Sequence, residues 1–531
     1  MSPEAREFPW LDMGLILLCW ASFLLLFLYV WPHLGIAFGE ELAGTAAYAW
    51  LHQIPNMMCE PHIRILGWNI PAMLDALHGP WNIYCLTPFI AVGGCTLAAL
   101  RFYSAFMFLI ALWGTWRLAS LVSGNRTTAF LSTLLLAVCP MMIITSHSLC
   151  VTEPDIAASV WALCFGVLFV RTRKGLYACA ACAALFIGLG SRSWVAGLCV
   201  GLMLFMALTR RRALALLPES NAAKVRLIAG LIACAGLVLL LPIACNAVND
   251  WFTIKFFAQH AVARDVLSGA RSNLNYWTNL KTSLSQLGRL CDGDEVVRAE
   301  PWHWLYVLPL LLSFLHAARG VWRRRTFWSA SAMLWIVMIG YVLASAVSPT
   351  EQMPQHFESL APVLCVLMFA WLDDVPAGLW RRAALLIMAL ICAAQFAGDF
   401  HLFRSKNINL DRTGDYSESP LLIEISRWAA RHPRTPLISL FLPLTDAIPY
   451  FSQNRARLIN FSPWADLNRI PWKSWLRRKD KPCFIVENHG AKRQMAMELR
   501  AHAARLGVAL KIIKIFPDSA GRPAFEVYRT R

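Results

Sequence analysis

The acidic stretch after the first apolar segment reads Phe38-Gly39-Glu40-Glu41-Leu42-Ala43-Gly44-Thr45-Ala46-Ala47-Tyr48. The apolar segment ends near Trp31 and Pro32, so a carboxylate pair is predicted where a membrane helix emerges into water. Adjacent carboxylates repel each other, which makes one of them hold a proton more tightly and act as a base near neutral pH. Alternatively, the two acids only begin an interfacial helix, close to its positive end.

The composition predicts a polytopic membrane protein. The 531 residues are 57% hydrophobic and 15% charged, whereas soluble domains average about 25% charged residues. The 23 tryptophans are typical of the aromatic belts at both membrane surfaces. The net charge of +17 is dispersed along the chain, which argues against a nucleic-acid groove. It favours arginines facing one leaflet and basic groups for an anionic lipid substrate.

The cysteines predict neither a disulfide framework nor a metal site. The chain has 16 of them, without the paired CxxC spacing that zinc sites use. Most lie in apolar segments, where a free cysteine behaves as a small buried hydrophobe. Examples are Cys139, Cys164, Cys179, Cys182 and Cys199.

Eleven apolar segments are predicted to span the membrane, whose ~30 Å core takes about 20 helical residues. No small-residue cleavage site follows the first, residues 14–31, which predicts a retained anchor helix. The loop at 32–97 contains six prolines among mixed polar and apolar residues and is predicted to form interfacial helices. The other ten spans are predicted at 97–120, 128–146, 154–170, 176–191, 194–209, 226–247, 303–318, 327–347, 360–374 and 383–400.

The basic clusters predict the orientation of the chain, because cytoplasmic loops carry an excess of Lys and Arg. They fall on alternate turns, at Arg117 and Arg126, Arg171-Thr172-Arg173-Lys174, Arg210-Arg211-Arg212, Arg319 with Arg323-Arg324-Arg325, and Arg381-Arg382. The N-terminal twelve residues, with one arginine against three acids, disagree, but the five later clusters outweigh them. The N-terminus is therefore predicted to be cytoplasmic, and the loops at 32–97, 248–302 and 348–359 to be outside with the tail.

The tail after residue 400 is predicted to be a soluble extracytoplasmic α/β domain, separate from a membrane domain at 1–400. Short apolar runs predict buried strands, and two longer stretches have helical periodicity. Neither GxGxxG nor GxxxxGK[ST] occurs in it, so no nucleotide site is predicted. The strands are predicted at 436–441, 483–487, 510–515 and 525–528, and the helices at 421–431 and 493–505.

Four groups of ionisable residues are predicted to face the outside together. Ionisable groups at the ends of packed membrane helices are costly and are therefore functional candidates. The alternative for each single group is a solvated loop residue. The groups are Glu40-Glu41, Glu60-Pro61-His62, the loop from Ser146 and His147 to Glu153-Pro154-Asp155, and Gln355-His356-Phe357-Glu358.

These motifs resemble the GT-C superfamily of lipid-carrier-dependent glycosyltransferases, in the protein O-mannosyltransferase-like branch that also contains the aminoarabinose transferases of lipid A. That family has an Asp-Glu pair and then Tyr in its first outer loop, where this chain has Glu40-Glu41 and Tyr48. Its second acidic loop has a Thr-Asp-Pro-like pattern, similar to Thr152-Glu153-Pro154. An Arg-led span, here from Arg101, and a late motif before Leu-x-Pro, here His356-Phe357, are also similar.

The resemblance implies an α-helical GT-C fold and transfer of a sugar from a polyprenyl-phosphate donor to an acceptor at the outer face. It implies that Glu40, beside Glu41, is the base for the acceptor. A cation near the departing lipid phosphate is required by the chemistry, and Arg192, in a short hairpin, is the most constrained candidate. The other candidate cations are Lys255, Arg264, Arg271 and His356, and the remaining substrate-binding candidates are Tyr48, Glu60, His62, Glu153 and Asp155.

Some alternatives stay open at this point. Glu replaces the family's Asp at both acidic motifs, which leaves an inactive scaffold subunit as one alternative, and a flippase for lipid-linked sugars is another. No cofactor is required with certainty, although Glu153 and Asp155 could bind Mg²⁺ or Mn²⁺. Partners would be the lipid-linked donor, membrane lipids and a lipid, glycan or protein acceptor, with no nucleic acid. The compact loops and the lack of sorting motifs predict a bacterial inner membrane.

Overall fold

The structure is a computed structural model, and it describes most of the chain. Some residues of these helices and strands, among them Glu40, Glu41, His62, Glu153 and His356, are described by their backbone alone. The described residues are 9–31, 40–54, 62–71, 79–148, 153–192, 195–210, 212, 220–248, 276–289, 304–324, 329–346, 354–375, 378–405, 421–440, 442–453, 455–459, 471–488, 493–518 and 521–530.

Helices form most of the first 405 residues. Each predicted span coincides with one helix, except that 128–146 covers two and 360–374 covers an α-helix and a 3₁₀ helix. They are α1 Pro9–Val30, α2 Glu40–Leu51, α3 Trp81–Gly93, α4 Leu97–Ser123, α5 Arg126–Ala137, α6 Pro140–Ser148, α7 Glu153–Thr172, α8 Gly175–Ser191, α9 Ala196–Leu208, α10 Asn221–Val248, α11 Tyr276–Arg289, α12 Trp304–Arg324, α13 Ala330–Ser345, α14 Ala361–Ala370 and α15 Leu379–Ser405. Two 3₁₀ helices, Pro354–Leu360 and Trp371–Asp374, flank α14.

Within the described ranges, four helices are long and apolar enough to cross a membrane: Trp10–Val30, Leu97–Ser123, Pro154–Thr172 and Leu379–Gly398. The segment predicted as one span at 128–146 is instead two helices, α5 and α6, which meet at an angle of 57° and would make a fifth crossing together. Five further apolar helices among the described residues are shorter, with 10–17 residues each, so the figure of eleven spans stays a prediction.

Side-chain caps and glycines set the helix ends and the closest helix contacts. Thr96 and Asn125 accept N–H bonds from Ala99 and Thr127 at the starts of α4 and α5, which satisfies amides that lack partners in a first turn. Between α9 and α13 the backbones touch, since a Cβ added to Gly340 would lie 2.4 Å from the Cα of Gly201. Only glycine fits at such a crossing.

The first loop is not formed by interfacial helices alone, as the sequence predicted. Between α2 and α3 lies an antiparallel hairpin of β1, His62–Ile65, and β2, Trp68–Pro71. Its turn places Leu66 and Gly67 at φ values of 50° and 87°, which is a conformation that glycine adopts readily. The sequence did not predict this hairpin, because its strands have only four residues each and lie in a proline-rich segment.

The tail contains a five-stranded mixed sheet with the order β4-β3-β5-β7-β6. Strands β3 and β5 are parallel, whereas β7 runs antiparallel to both β5 and β6. The strands are β3 Leu437–Ser439, β4 Leu458–Ile459, β5 Cys483–Glu487, β6 Leu510–Pro517 and β7 Pro523–Thr530. The helices are α16 Leu421–Ala430, α17 Leu442–Phe451, α18 Trp472–Leu476 and α19 Arg493–Arg505.

The strand at 510–515 was predicted to be buried, and that prediction is wrong. Strand β6 lies at the sheet edge, and Ile512, Ile513 and Ile515 are each about two-fifths exposed, at 40%, 41% and 42%. Lys511 and Lys514 alternate with them, and lysines on an edge strand oppose pairing with another chain. The central strands β5 and β7 are buried, as their apolar residues predict.

The tail packs directly on the first loop. The ring of Tyr450, on α17, belongs to one apolar cluster with Ala43 and Ala47 of α2 and with Leu100 of α4. Its hydroxyl donates a hydrogen bond to the carbonyl oxygen of Thr96, 2.9 Å away. Helix α17 therefore connects the core of the tail to the helix that begins at Glu40.

Candidate functional site

Three charged side chains are buried together at one end of the helix bundle. Asp155 and Glu358 are 0% exposed, and Arg192 is 5% exposed. Asp155 lies in the first turn of α7, Arg192 directly follows α8, and Glu358 lies in the 3₁₀ helix before α14. Consecutive antiparallel helices bring the start of α7 and the end of α8 to the same end of the bundle.

The carboxylate of Glu358 has a partner at each oxygen. Thr145, near the end of α6, donates its hydroxyl to Oε1 at 2.8 Å. Nη1 of Arg192 lies 3.7 Å from Oε2. Removing one member of a buried ion pair costs about 3–5 kcal/mol, because it leaves the other charge uncompensated. Helices α6, α8 and α14 are thus connected through a single carboxylate.

The carboxylate of Asp155 belongs to a second, adjacent group. Ser359, the neighbour of Glu358, donates its hydroxyl to Oδ2 of Asp155 at 3.1 Å. The phenol of Tyr341, on α13, is fully buried. One carboxylate belongs to Glu358, and the other, that of Asp155, accepts a hydrogen bond from the next residue, Ser359. The 3₁₀ helix therefore fixes the separation of the two carboxylates.

Helix α3 connects the first loop to this charged group. A Cβ added to Gly79, just before α3, would lie 1.9 Å from the carbonyl oxygen of Gly190. Asn82 donates a hydrogen bond to the carbonyl oxygen of Ser191 at 3.4 Å. Since Ser191 precedes Arg192, the start of α3 lies against the backbone that carries the arginine. Helix α2 packs on the opposite part of α3 through apolar side chains.

Two further buried polar side chains close the same end. His147 is stacked on Phe27 with ring centroids 3.9 Å apart, and its Nε2 lies 2.8 Å from the Phe27 carbonyl oxygen. Arg101, at the start of α4, donates to the carbonyl oxygen of Trp31 at 2.9 Å and lies over that ring. Both side chains contact backbone carbonyl oxygens at the end of α1. His147 therefore has a structural role at this position and not the role of a ligand.

The structure places only some of the predicted site residues together. Asp155 and Arg192 share one cluster, whereas Tyr48 lies on α2 with its ring 4.3 Å from that of His52. The backbones of Glu40 and Glu41 begin α2, while His62 begins β1, Glu153 begins α7 and His356 lies in the 3₁₀ helix. Outside the described residues are Glu60, Lys255, Arg264 and Arg271.

Arg192 does not lie on the surface of the protein. Its guanidinium is buried against Glu358. In the motif at 355–358 the sequence indicated His356 as the site residue and not Glu358. It gave no indication of Thr145, Ser359 or Tyr341. A signal for Glu358 was present, because a charged residue between Phe357 and the apolar run at 360–370 is costly to bury without a partner.

Cation binding by Glu153 and Asp155 stays a hypothesis. Among the described residues, no three His, Cys, Asp or Glu side chains lie close enough to hold a metal ion. The side chain of Glu153 is outside that set, so its pairing with Asp155 is not described. Oδ2 of Asp155 accepts a hydrogen bond from Ser359. A carboxylate oxygen of this kind is a ligand that hard cations bind.

Comparison with known proteins identifies the fold. No family model and no curated protein matches the sequence. Among solved structures, ArnT from Cupriavidus metallidurans bound to undecaprenyl phosphate is similar over 97% of this chain and 98% of its own, with a TM-score of 0.64 at 12% identity. The oligosaccharyltransferase AglB from Archaeoglobus fulgidus, in complex with an inhibitory peptide and a dolichol-phosphate, covers 94% of this chain and 69% of its own, with a TM-score of 0.54 at 13% identity.

Both neighbours share the overall fold of this chain, which confirms the fold that the resemblance to the GT-C superfamily implies. The four long apolar helices described above support the predicted location in a membrane. The likeness extends across the tail as well as the membrane helices, because nearly the whole chain is covered.

Proposed function

We propose that this protein is a glycosyltransferase that moves a sugar from a polyprenyl-phosphate carrier to an acceptor at the outer face of the membrane. The observation that carries the proposal is the buried Arg192–Glu358 pair beside Asp155, at one end of a bundle with the GT-C fold. One structural neighbour binds undecaprenyl phosphate and another a dolichol-phosphate, which supports a lipid phosphate as the leaving group.

The proposed reaction breaks the bond between the anomeric carbon and the carrier phosphate, and forms a bond from that carbon to an acceptor oxygen or nitrogen. The acceptor proton passes to a carboxylate, for which Glu40 is the candidate and Glu41 its neighbour. The bonding electrons leave with the lipid phosphate, whose charge grows in the transition state. A positioned cation stabilises that charge more strongly in a water-poor site than in water.

Among the described residues, Arg192 is best suited to stabilise the charge on the departing lipid phosphate. A guanidinium presents several N–H donors in a fixed plane that matches phosphate oxygens. Glu358, itself held by Thr145, restrains one edge of that plane. Because the guanidinium of Arg192 is already restrained, it loses less conformational entropy when it binds a phosphate. We assign Glu358 and Thr145 as positioning residues, and Asp155 as a group for the sugar or a cation.

The orientation belongs to the same proposal. Arg171, Arg319 and Arg323 lie at the end of the bundle opposite Asp155, and the positive-inside rule assigns that end to the cytoplasm. The charged site and the first loop would then face the periplasm or the cell exterior, in a bacterial inner membrane. The tail at 401–531 would lie on that outer side, beside the membrane domain at 1–400.

The test is release of radiolabelled sugar from polyprenyl-phosphate mannose and polyprenyl-phosphate aminoarabinose by the purified protein in detergent. We expect Glu40→Gln and Arg192→Met to lose most of the release, while Arg192→Lys keeps part of it by retaining the charge. Glu424→Gln and Arg427→Met, on exposed positions of α16, are the matched controls. Full activity of Glu40→Gln with loss in Glu41→Gln would move the base by one residue.

A flippase for lipid-linked sugars is the second candidate, and one observation favours it. Transporters use broken helices next to buried charges, and the bend between α5 and α6 lies close to Thr145 in sequence. Against this, the described buried charges gather at one end of the bundle rather than at mid-depth. In sealed vesicles, a flippase would move a labelled lipid-linked sugar between leaflets without hydrolysis or transfer, whereas no movement and no transfer would favour a scaffold subunit.

A further inference from the structure

A cavity of about 430 Å³ opens at the end of the bundle opposite the charged site. Arg171 ends α7, the helix in which Asp155 begins, so about 24 Å of helix separates the two ends at 1.5 Å per residue. The walls come from helix ends of α4, α7, α12, α13 and α14. The lining residues are Val122, Ser123, Arg171, His316, Ala317, Arg319, Gly320, Arg323, Ser329, Ala330, Ser331 and Ala370.

The chemistry of these walls is that of an anion site. Three arginines and a histidine line the cavity, together with three serine hydroxyls, and none of the lining residues is acidic. Arg319 and Arg323 are four residues apart on α12, where two like charges repel each other. Arg171 is fixed, because its guanidinium donates to the carbonyl oxygen of Leu121. An anion between the arginines would relieve the repulsion and accept several charge-assisted hydrogen bonds.

A helix start adds a second, independent source of positive potential. Helix α13 has sixteen residues and begins at Ala330, after Ser329, whose hydroxyl accepts the N–H of Ala332 at 3.2 Å. Ala330 and Ser331, both on the cavity wall, belong to the first turn, in which the N–H groups lack partners within the helix. Phosphate and sulfate groups bind at such helix starts.

Two acids come close to this cavity in sequence. Asp373 and Asp374 follow Ala370, a wall residue, by three and four positions. Their side chains are outside the described set. The three arginines outnumber these two acids, so the summed charge is positive.

The surface next to the cavity is suited to an acyl chain. Leu315 and Trp322, on the same helix as Arg319 and Arg323, are 53% and 83% exposed. A leucine exposed on a membrane helix faces lipid, and an exposed tryptophan next to basic residues marks the level of the headgroups. A ligand with an anionic head and apolar tails would therefore contact both parts of α12.

We propose that this cavity binds the phosphate group of an anionic phospholipid from the leaflet at the basic end of the bundle. The volume fits the 300–1,000 Å³ of ligand pockets, and basic pockets between helices on the cytoplasmic side are a known way to bind such headgroups. The site shares no residue with the Asp155–Arg192–Glu358 cluster. It does not depend on the proposed transferase activity.

Native mass spectrometry and lipid titration in nanodiscs test the proposal on the full chain, with phosphatidylglycerol compared with phosphatidylcholine. We expect retained phosphatidylglycerol in the wild type. In the double variant Arg319→Gln/Arg323→Gln its affinity should fall about 30-fold, which corresponds to about 1 kcal/mol for each arginine at a membrane surface. The matched control is Arg381→Gln/Arg382→Gln, which removes the same charge from α15 at residues outside the cavity wall.

Three results would overturn the proposal. One is equal retention of both lipids by the wild type, and another is an equal loss in the control double variant, which would reduce the effect to net charge. The third is tight binding of inorganic phosphate alone that displaces the lipid, which would keep the phosphate chemistry but remove the lipid assignment. Arg171→Gln provides a second variant if the first one unfolds.

Discussion

Replacing Gly44 by alanine should disturb the contact between α2 and the tail. A Cβ at this position would lie 2.7 Å from Cε2 and 3.0 Å from Cδ2 of Tyr450, and 3.0 Å from Cδ2 of Leu100. Contacts under 3.0 Å require a side chain or helix to move. The ring of Tyr450 is 1% exposed, and its hydroxyl is bonded to Thr96, so it has little room to turn away.

The magnitude follows from two opposing effects. Overpacking a core by one methyl costs about 1–3 kcal/mol, while alanine favours a helix over glycine by about 0.5–1 kcal/mol. The net loss of stability in Gly44→Ala should therefore be about 1 kcal/mol, within limits of about 0 and 2.5 kcal/mol. Tyr450→Leu removes the ring, so adding it to Gly44→Ala should recover stability relative to the sum of the two single changes.

The activity readout separates positioning from simple loss of fold. Gly44 lies one helical turn after Glu40, so a shift of α2 moves the proposed base. Misplacement by about 1 Å can cost about 100-fold in rate, and we expect kcat to fall more than KM rises. Gly14→Ala on α1 is the matched control, since a Cβ there meets no atom within 4 Å.

The measurement is a double-mutant cycle in detergent, with thermal unfolding and donor turnover recorded for the wild type, both single variants and the double variant. Unchanged stability and unchanged kcat in Gly44→Ala would refute the close packing of α2 on Tyr450. Loss of stability with kcat intact would leave the packing in place but refute the link between this contact and the base.

Three other predictions concern the bundle and the sheet. Glu358→Gln should lower stability by about 3–5 kcal/mol in thermal unfolding, because Arg192 keeps its buried charge; replacing both by methionine should restore stability but not activity. Gly340→Ala should destabilise by forcing α13 away from Gly201, unlike Gly236→Ala, where a Cβ meets nothing within 4 Å. Burial and a hydrogen bond to a neighbouring carboxylate raise the pKa of Tyr528 to about 12. In the unfolded chain the pKa of a tyrosine is about 10. The stabilisation of the folded state by the protonated phenol is therefore complete below pH 10 and is lost as the pH rises toward 12. Tyrosine ¹³C NMR can follow this titration, and a titration of Tyr528 at the unfolded pKa would contradict the prediction.

The sequence predicted helix positions well because long apolar runs determine them locally. Each predicted span coincides with helical residues, and the strands at 483–487 and 525–528 are formed and buried. The break at Val138–Cys139 was missed, since α5 and α6 together have the length and composition of one span. The exposure of β6 was also missed, because an apolar edge strand and an apolar central strand have similar sequences.

The charged site could be predicted only in part, for a different physical reason. Acidic motifs indicated Asp155, and the short hairpin indicated Arg192. The partners of the carboxylates are distant in sequence: Thr145 and Glu358 are 213 residues apart, and Asp155 and Ser359 are 204 apart. A serine or threonine in an apolar run has no sequence signal that distinguishes a hydrogen bond to a distant carboxylate from one to its own helix, so these pairings needed the fold.

In the proposed reaction the base and the phosphate-binding cation come from different parts of the chain, and α3 is the element that joins them. Its start lies on the backbone of Gly190 and Ser191, next to Arg192, and its apolar side packs on α2. The tail supports α2 from the other side through Tyr450. A sugar between base and leaving group requires a fixed distance between the two, because in-line displacement tolerates little misalignment. We therefore expect the first loop and the tail to serve catalysis by holding that distance, which gives a physical reason for the packing of the tail on α2.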